Sequence, residues 1–299
     1  MRSAVLVVGF NRPHHLLDVL ERIREAAPAR LYIAIDGARS DLDLNAVNAC
    51  HEVARGVDWA PTLLRLRDEN LGCQRGVIDA VTWMLGNEPD GVVVEDDTLP
   101  SFSFFPFCDE LLERFRDDLR VLAVSGESRL PPEYAPRSDS YRFTYMGPAG
   151  AWATWRDRWD AFLARRIDRS LFATFRALHS TRHSAVERRA HWAALMLANR
   201  TRAMDSWAYP FMLEGIVSER LTATPNVNLV ADHGMGVAAT HMSSVDERQQ
   251  PSGEVSFPLM HPTSVAVDEV AESWSEEHEI GFGASSLFRN AVALARRLT

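Results

Sequence analysis

Three adjacent carboxylates, Glu95-Asp96-Asp97, directly follow the apolar run Val92-Val93-Val94. A short, continuous apolar run reads as a buried strand, so the three acidic groups arrive together at the edge of a sheet. Like charges this close raise one another's pKa, and a cation relieves the repulsion. Oxygen-only ligation by one or two carboxylates suits Mg²⁺ or Mn²⁺, with substrate phosphates and water in the remaining positions. The triplet equally fits a solvated turn that opens a helix, because acidic residues favour helix starts. On spacing alone both readings stand.

Other chemistries are excluded. All 32 basic residues are Arg and none is Lys. That removes a Walker phosphate loop, a Schiff-base enzyme and a protein kinase, each of which needs a lysine. A phosphoacceptor receiver domain also needs a distal Lys, and carries its acidic residues after the first strand. A haloacid-dehalogenase-type phosphatase needs Asp-x-Asp-x-Thr, and Asp96-Asp97-Thr98 has the wrong spacing. Any phosphate is therefore held by Arg, by backbone N–H groups or by a metal. The net charge of −9 speaks against nucleic acid or an anionic membrane as partner. Cys50, Cys73 and Cys108 show neither zinc spacing nor an even count, which points to a reducing compartment. The apolar run Ala4 to Phe10 is too short for a signal peptide or a membrane span. A cytoplasmic protein with no integral membrane segment is expected.

The elements that must position the triplet alternate strand and helix. Strands are expected at Val5–Val8, Leu31–Ile35, Leu63–Leu66, Gly91–Val94 and Val121–Val124. Helices are expected after Pro13, over Leu42–Arg55, over Arg75–Leu85 and over Phe104–Phe115, with Asn11 able to cap the first. This alternation predicts an α/β fold, a mostly parallel sheet with helices on both faces. Ligands of such sheets bind beyond the carboxyl ends of the strands. The polar groups there are Asn11 and Arg12, then Asp36, then Asn70, then the triplet, so all four clusters should share one rim.

After residue 130 the pattern changes. Pro131, Pro132 and Pro136 mark a loop, and Trp152, Trp155 and Trp159 follow at helical spacing. Arg156–Arg166 and Arg182–Asn199 read as charged helices. Residues 245–260 are polar and read as mobile, and a last helix is expected over Ser285–Leu298. The organisation expected is a donor-binding half at 1–130, an acceptor-side half of the same domain at 131–245, and a C-terminal extension at 246–299.

The order VLVVGFNRP (Val5–Pro13), AIDG (Ala34–Gly37), NLGCQRG (Asn70–Gly76), VVVEDD (Val92–Asp97), AWATWRDRWDAF (Ala151–Phe162), DSWAYPF (Asp205–Phe211) and NLV…HGMGVAATH (Asn228–His241) resembles a known family. It is similar to the GT-A fold of nucleotide-sugar glycosyltransferases, in the branch of N-acetylglucosaminyltransferase I and its bacterial relatives. The resemblance spans residues 4 to about 265, although Ala151 stands where the branch usually has Gly and 165–202 has no counterpart.

The resemblance implies a Rossmann-like GT-A sheet and an inverting, metal-dependent transfer of a hexosyl or N-acetylhexosaminyl group from a nucleotide diphosphate sugar, with UDP favoured. Asp97 would hold Mn²⁺ or Mg²⁺, with His241 as a further candidate ligand. Phe10, Asn11, Arg12, Asp36, Arg75, Glu95 and Asp96 would bind the donor. Asp205 would be the catalytic base, with Glu214 in reserve. Trp152 and Glu214 would contact sugar or acceptor. Partners would be the nucleotide sugar and an acceptor whose identity, whether glycan, peptide, lipid-linked or small molecule, the sequence leaves open. Two other classes compete. One is a catalytically silent relative that binds nucleotide, glycan or a partner protein. The other is a sugar-phosphate nucleotidyltransferase, which needs a Gly-rich loop and a lysine that this chain lacks.

Overall fold

A computed structural model of the chain describes residues 1–135, 138–165, 171–232 and 250–280. The first apolar run forms β1 (Ala4–Gly9), inside an eight-stranded sheet. From β1 the chain steps outward through α1 (Pro13–Ala26), β2 (Leu31–Ile35), α2 (Asp41–Arg55) and the edge strand β3 (Thr62–Leu66). α3 (Cys73–Asn87) brings it back, and β4 (Asp90–Glu95) pairs with the other side of β1. These four strands are all parallel. Hence Gly9, Ile35, Leu66 and Glu95 reach one rim, as the register Gly9↔Ile35, Ile35↔Leu66 and Val8↔Glu95 shows.

The chain continues through β5 (Thr98–Pro100), α4 (Phe104–Arg114), β6 (Val121–Ser125), β7 (Tyr141–Thr144) and β8 (Ala151–Trp155). Next come α5 (Arg156–Arg165), α6 (Leu171–Ala177), α7 (Val186–Arg200), α8 (Ala208–Ser218), β9 (Leu221–Pro225), β10 (Val230–Asp232) and α9 (Glu269–Ser275). The sheet order is β3-β2-β1-β4-β8-β6-β9-β7, and β10 pairs with β5 in a small separate ladder. β8 and β7 run against the other six strands. The expected mostly parallel sheet is thus present, and strands from both sides of residue 130 build it.

Helices cover both faces. Leu16, Leu20 and Ile23 of α1 and Phe107, Leu111 and Leu112 of α4 pack on one face, with Val92 and Val94 of β4. Val77, Val81 and Met84 of α3, Trp159 of α5 and Phe211 of α8 pack on the other, with Val93. Burying β4 on both faces forces its polar residues to its end, which is how the triplet comes to stand at the rim.

Three expectations need correction. The Trp152–Trp155 stretch is strand, not helix; Trp159 alone of the three tryptophans lies in α5. Residues 250–260 are held, not mobile: the Glu254 carboxylate accepts from the Phe102 and Ser103 N–H groups at 3.1 and 2.7 Å, at the start of α4. Asn11 does not cap α1. Arg12 occupies that position, without a side-chain cap. The expected helix Ser285–Leu298 lies outside the described residues, as does His241.

Glu272 fastens α9 to the sheet. It is 1% exposed, and its carboxylate accepts from the Thr144 hydroxyl at 2.5 Å and from the Tyr145 N–H. Burial pushes its pKa up from 4.5 to about 7. The folded chain therefore binds this proton more tightly than the unfolded chain. The stability this group contributes is complete below 4.5 and is lost as pH rises through about 7. Glu272→Gln should flatten the pH dependence of the melting temperature across that window, read by thermal melts of both proteins at stepped pH. Curves that stay parallel would refute the assignment.

Candidate active site

The sheet has a topological switch point. From β1 the chain leaves to one side for β2 and later returns to the other side for β4, which opens a crevice between the carboxyl ends of β1 and β4. The triplet and Arg12 fill its walls. The Asp96 N–H donates to the Val8 carbonyl at 2.9 Å, and its Oδ2 accepts from the Phe10 N–H at 2.9 Å. Asp96 is thus folded back against β1 and buried. Arg12 Nη1 donates to Asp97 Oδ2 at 2.5 Å and reaches Asp96 Oδ1 at 3.4 Å. The Glu95 N–H donates to the Gly150 carbonyl, and Glu95 Oε1 accepts from Trp207 Nε1 at 3.2 Å.

These positions are electrostatically costly. Burial first, and then the Asp97 charge, pushes Glu95 up to about 8 and Asp96 up to about 7. The Trp207 bond and the Phe10 and Arg12 contacts pull the other way, without offsetting burial. A cleft that raises carboxylate pKa values in this way favours any added positive charge.

The neighbouring rim is built by two further carboxylates. Asp36, at the end of β2, accepts from the Leu71 N–H at 3.0 Å, the Gly72 N–H at 3.0 Å and Asn70 Nδ2 at 2.9 Å. Gly37 beside it admits the 69–72 loop, since a Cβ there would lie 2.4 Å from the Glu69 carbonyl carbon. Asp205 reaches the start of α3, directly after this loop, from 132 residues away. Its Oδ2 accepts from the Cys73 N–H at 2.7 Å and its Oδ1 from the Gln74 N–H at 3.1 Å. The first N–H groups of α3, which have no partner within the helix, are satisfied in this way.

The Cys73 thiol, at the start of α3, lies within the field of these groups. Burial pushes it up to about 12, and the charges of Glu95, Asp205, Asp97 and Asp36 all push in the same direction. The thiol thus feels the charge of four carboxylates, from just after β2, from the end of β4 and from the segment before α8. The Cys73 S–H stays neutral there.

The other expected residues fall in several places. Phe10 lies under the Arg39 guanidinium, 4.8 Å from its ring centroid. The Asn11 amide donates to Asp43 Oδ1 at 2.8 Å, and Asp43 is also bound by Arg39. Arg75 lines a cavity between α3 and α7 to which no residue of the triplet contributes. Two expectations are overturned. Trp152 is 0% exposed and stacks on Trp207 at 4.7 Å between centroids, so its ring is core and meets no sugar. Glu214 is 0% exposed on α8 and is paired with Arg165 at 2.9 Å, so it neither contacts an acceptor nor stands in as a base.

Trp207 and Cys73 were not anticipated. Their signal lay in the motifs themselves, since each is adjacent to, or two residues from, a group already singled out (Asp205 and the Asn70–Gly72 turn). Asn199 was also missed; its carboxamide oxygen accepts from the Ser206 N–H at 3.0 Å and steadies the Asp205 segment.

Among the described residues no cluster of three or more His, Cys, Asp or Glu side chains forms a ready metal cage. The donors present nevertheless fit a hard cation. Mg²⁺ and Mn²⁺ are held by one or two carboxylates plus substrate oxygens, and need no cage. Asp97, with a quarter of its side chain exposed, is placed for that.

No family model and no curated protein matches the chain. Solved structures are similar to it in outline. One is the mannosyltransferase PcManGT from Pyrobaculum calidifontis in complex with GDP-Man and Mn²⁺, with a TM-score of 0.42 and 16% identity over 72% of this chain and 68% of that one. Another is the galactosyltransferase LgtC in complex with donor and acceptor sugar analogues, with a TM-score of 0.37 and 11% identity over 72% of this chain and 70% of that one. A third is a mannose-1-phosphate geranyltransferase from Thermus thermophilus, with a TM-score of 0.36 and 13% identity over 77% of this chain and 75% of that one. Likeness at this level transfers no residue roles.

Gly72 has φ +81°, and a Cβ there would lie 2.6 Å from Asp205 Oδ2. Gly72→Ala should therefore both strain the backbone and push Asp205 off the end of α3. The expected loss is about 1–2 kcal/mol of stability, measured by urea unfolding. An alanine variant as stable as the parent would show that the Asp205 cap does not hold α3.

Proposed function

We propose that the chain is a GT-A-type, inverting, metal-dependent glycosyltransferase that moves a sugar from a nucleotide diphosphate sugar to an acceptor hydroxyl. The observation that carries this reading is the meeting of Arg12, Asp36, the Glu95–Asp97 triplet and Asp205 around the β1–β4 switch point. A crevice at this place in a parallel sheet is where nucleotides bind. A uridine diphosphate donor is favoured by the family resemblance. The silent-relative reading has no observation in its favour.

The reaction breaks the bond between the anomeric carbon and the diphosphate oxygen, and forms one from that carbon to the acceptor oxygen. Its main need is to stabilise charge developing on the diphosphate. Asp97 would hold Mn²⁺ or Mg²⁺, which supplies Lewis-acid stabilisation of that leaving group. Arg12 contributes a guanidinium whose planar fork suits phosphate oxygens. Asp96, fixed by the Phe10 N–H, and Glu95, fixed by Trp207, orient ribose and sugar. Asp36 has both oxygens bound to the 70–72 loop, so in this reading it shapes the donor rim and leaves direct base contacts to Phe10 and Asn11.

Asp205 takes the acceptor's proton. Each of its oxygens accepts one backbone N–H, and a carboxylate oxygen has two lone pairs, so one remains on each for the acceptor hydroxyl. The two N–H bonds fix its direction, which a general base requires.

A thermal-shift panel of nucleotide sugars tests the donor half. One nucleotide sugar should raise the melting temperature with Mn²⁺ present, and neither chelator-treated protein nor Asp97→Ala should respond. A panel in which nothing stabilises the protein, or in which Asp97→Ala responds normally, would overturn the reading. For the base, Asp205→Asn should lower transfer by roughly 10²- to 10⁴-fold while donor binding is kept. Transfer at the parent rate would remove Asp205 from the chemistry and leave it as a helix cap.

A further inference from the structure

A cavity of about 480 Å³ lies between α3 and α7, behind the Asp205 site. Arg75 from α3, and Arg200 and Arg202 from the end of α7, line it. None of these three guanidiniums makes an ion pair among the described residues. Asp79 also lines the cavity, but it is already bound by Arg65 at 2.7 Å and by Arg67. The cavity wall is therefore positively charged in a chain whose net charge is −9.

Arg202 is held there by the backbone. It has φ +60°, in the left-handed region that non-glycine residues rarely adopt. Its N–H donates to the Asn199 carbonyl at 3.2 Å, and the Met204 N–H donates to the Ala198 carbonyl at 3.1 Å. This tight turn ends α7, aims Arg202 back at the cavity and leads straight into Asp205.

The cavity and the Asp205 site share residues. Gln74 lines the cavity, and its N–H holds Asp205 Oδ1. Asn199 lines it too, and its side chain holds the Ser206 N–H. The remaining wall carries the apolar side chains Ile78, Phe162 and Met196. A volume of this size, part apolar and with a few charged groups at fixed places, is that of a small-molecule site.

We propose that this cavity binds an oxyanion carried by the acceptor, a phosphate or a carboxylate, through Arg75, Arg200 and Arg202. The assignment to an acceptor rests on the function proposed above; the binding of an anion does not. The guanidinium fork recognises both oxyanions in the same way. With its anion held by these three side chains, the acceptor extends along the Gln74–Asn199 edge and presents a neutral hydroxyl to Asp205.

The test is calorimetric titration of the full chain with inorganic phosphate, glucose 1-phosphate, glucuronate and, as a neutral control, methyl glucoside. The anions should bind, the neutral sugar should not, and affinity should fall with added salt. Arg75→Gln/Arg200→Gln, and separately Arg202→Gln, should each weaken anion binding by about tenfold or more. Arg24→Gln, on α1 at the opposite face of the sheet, should change nothing. All three cavity positions are exposed, so circular dichroism should report an unchanged fold, and the single Arg202 variant keeps the test readable if the double variant is lost. A stronger response to glucose 1-phosphate assigns phosphate, and a stronger response to glucuronate assigns carboxylate. No anion binding to the parent, or binding that Arg12→Ala abolishes and the cavity variants leave intact, would overturn the proposal. Donor stabilisation without anion binding would overturn this inference alone. Anion binding without any donor stabilisation would overturn its assignment to an acceptor.

Discussion

Placing like charges side by side in a poorly solvated crevice is the constraint on which the rest of the structure depends. β4 is buried on both faces, so its carboxylates have nowhere to go but its end, and there they meet the β1 backbone. Neither Glu95 nor Asp96 ionises easily in that place. The elements around them are arranged to make the charge bearable. Arg12 stands at the cap position before α1, the bend after β1 offers the Phe10 N–H, and the segment before α8 delivers the Trp207 indole. The arrangement lowers the repulsion without cancelling it. A site left short of positive charge in this way gains more from a bound cation than one already neutral, because the cation replaces a standing penalty with an attraction.

The same economy of carboxylates appears in the helix caps. α3 and α4 have no side-chain cap of their own. Asp205 serves α3 and Glu254 serves α4, each from more than a hundred residues away. These bonds join the later part of the chain to the earlier one at the rim itself. A shift of the 199–207 segment therefore moves the start of α3, and with it the loop that Asp36 holds. In the proposed chemistry this couples the acceptor side to the donor side through two backbone N–H groups.

Much of this was legible in the sequence, because it depends on local rules. The apolar runs ending in Val8, Ile35 and Val94 correspond to strands whose ends lie within one residue of those positions, and strand ends at one rim follow from parallel pairing. What was hidden depends on partners distant in sequence. Trp152, Trp155 and Trp159 are spaced as on a helix, yet the first two lie in an antiparallel strand inserted between β4 and β6, and no local pattern announces that insertion. Trp152 was misread as a sugar platform for the same reason: its stacking partner, Trp207, is 55 residues further on. Asp36 was recognised as a rim residue, but its commitment to the 70–72 loop depends on a backbone approach that only Gly37 permits. Glu214 carries no sequence mark of burial, and its pairing with Arg165 arises from the packing of α5 against α8.

Charge of both signs at adjacent places has a further consequence. The crevice at the triplet is negative, and the cavity beyond Asp205 is lined by guanidiniums, in a chain that uses Arg for every cationic side chain. An acceptor with one anionic end is repelled from the first and drawn to the second before it makes any close contact. Its neutral hydroxyl end is then the part that can approach the triplet. In the same proposal the donor's diphosphate would obey the opposite rule, entering the negative crevice only with compensating positive charge from a cation and from Arg12. In the proposed reaction each substrate would thus be admitted to its own side by electrostatics, with Asp205, fixed by the α3 N–H groups between the two, where their neutral parts would meet.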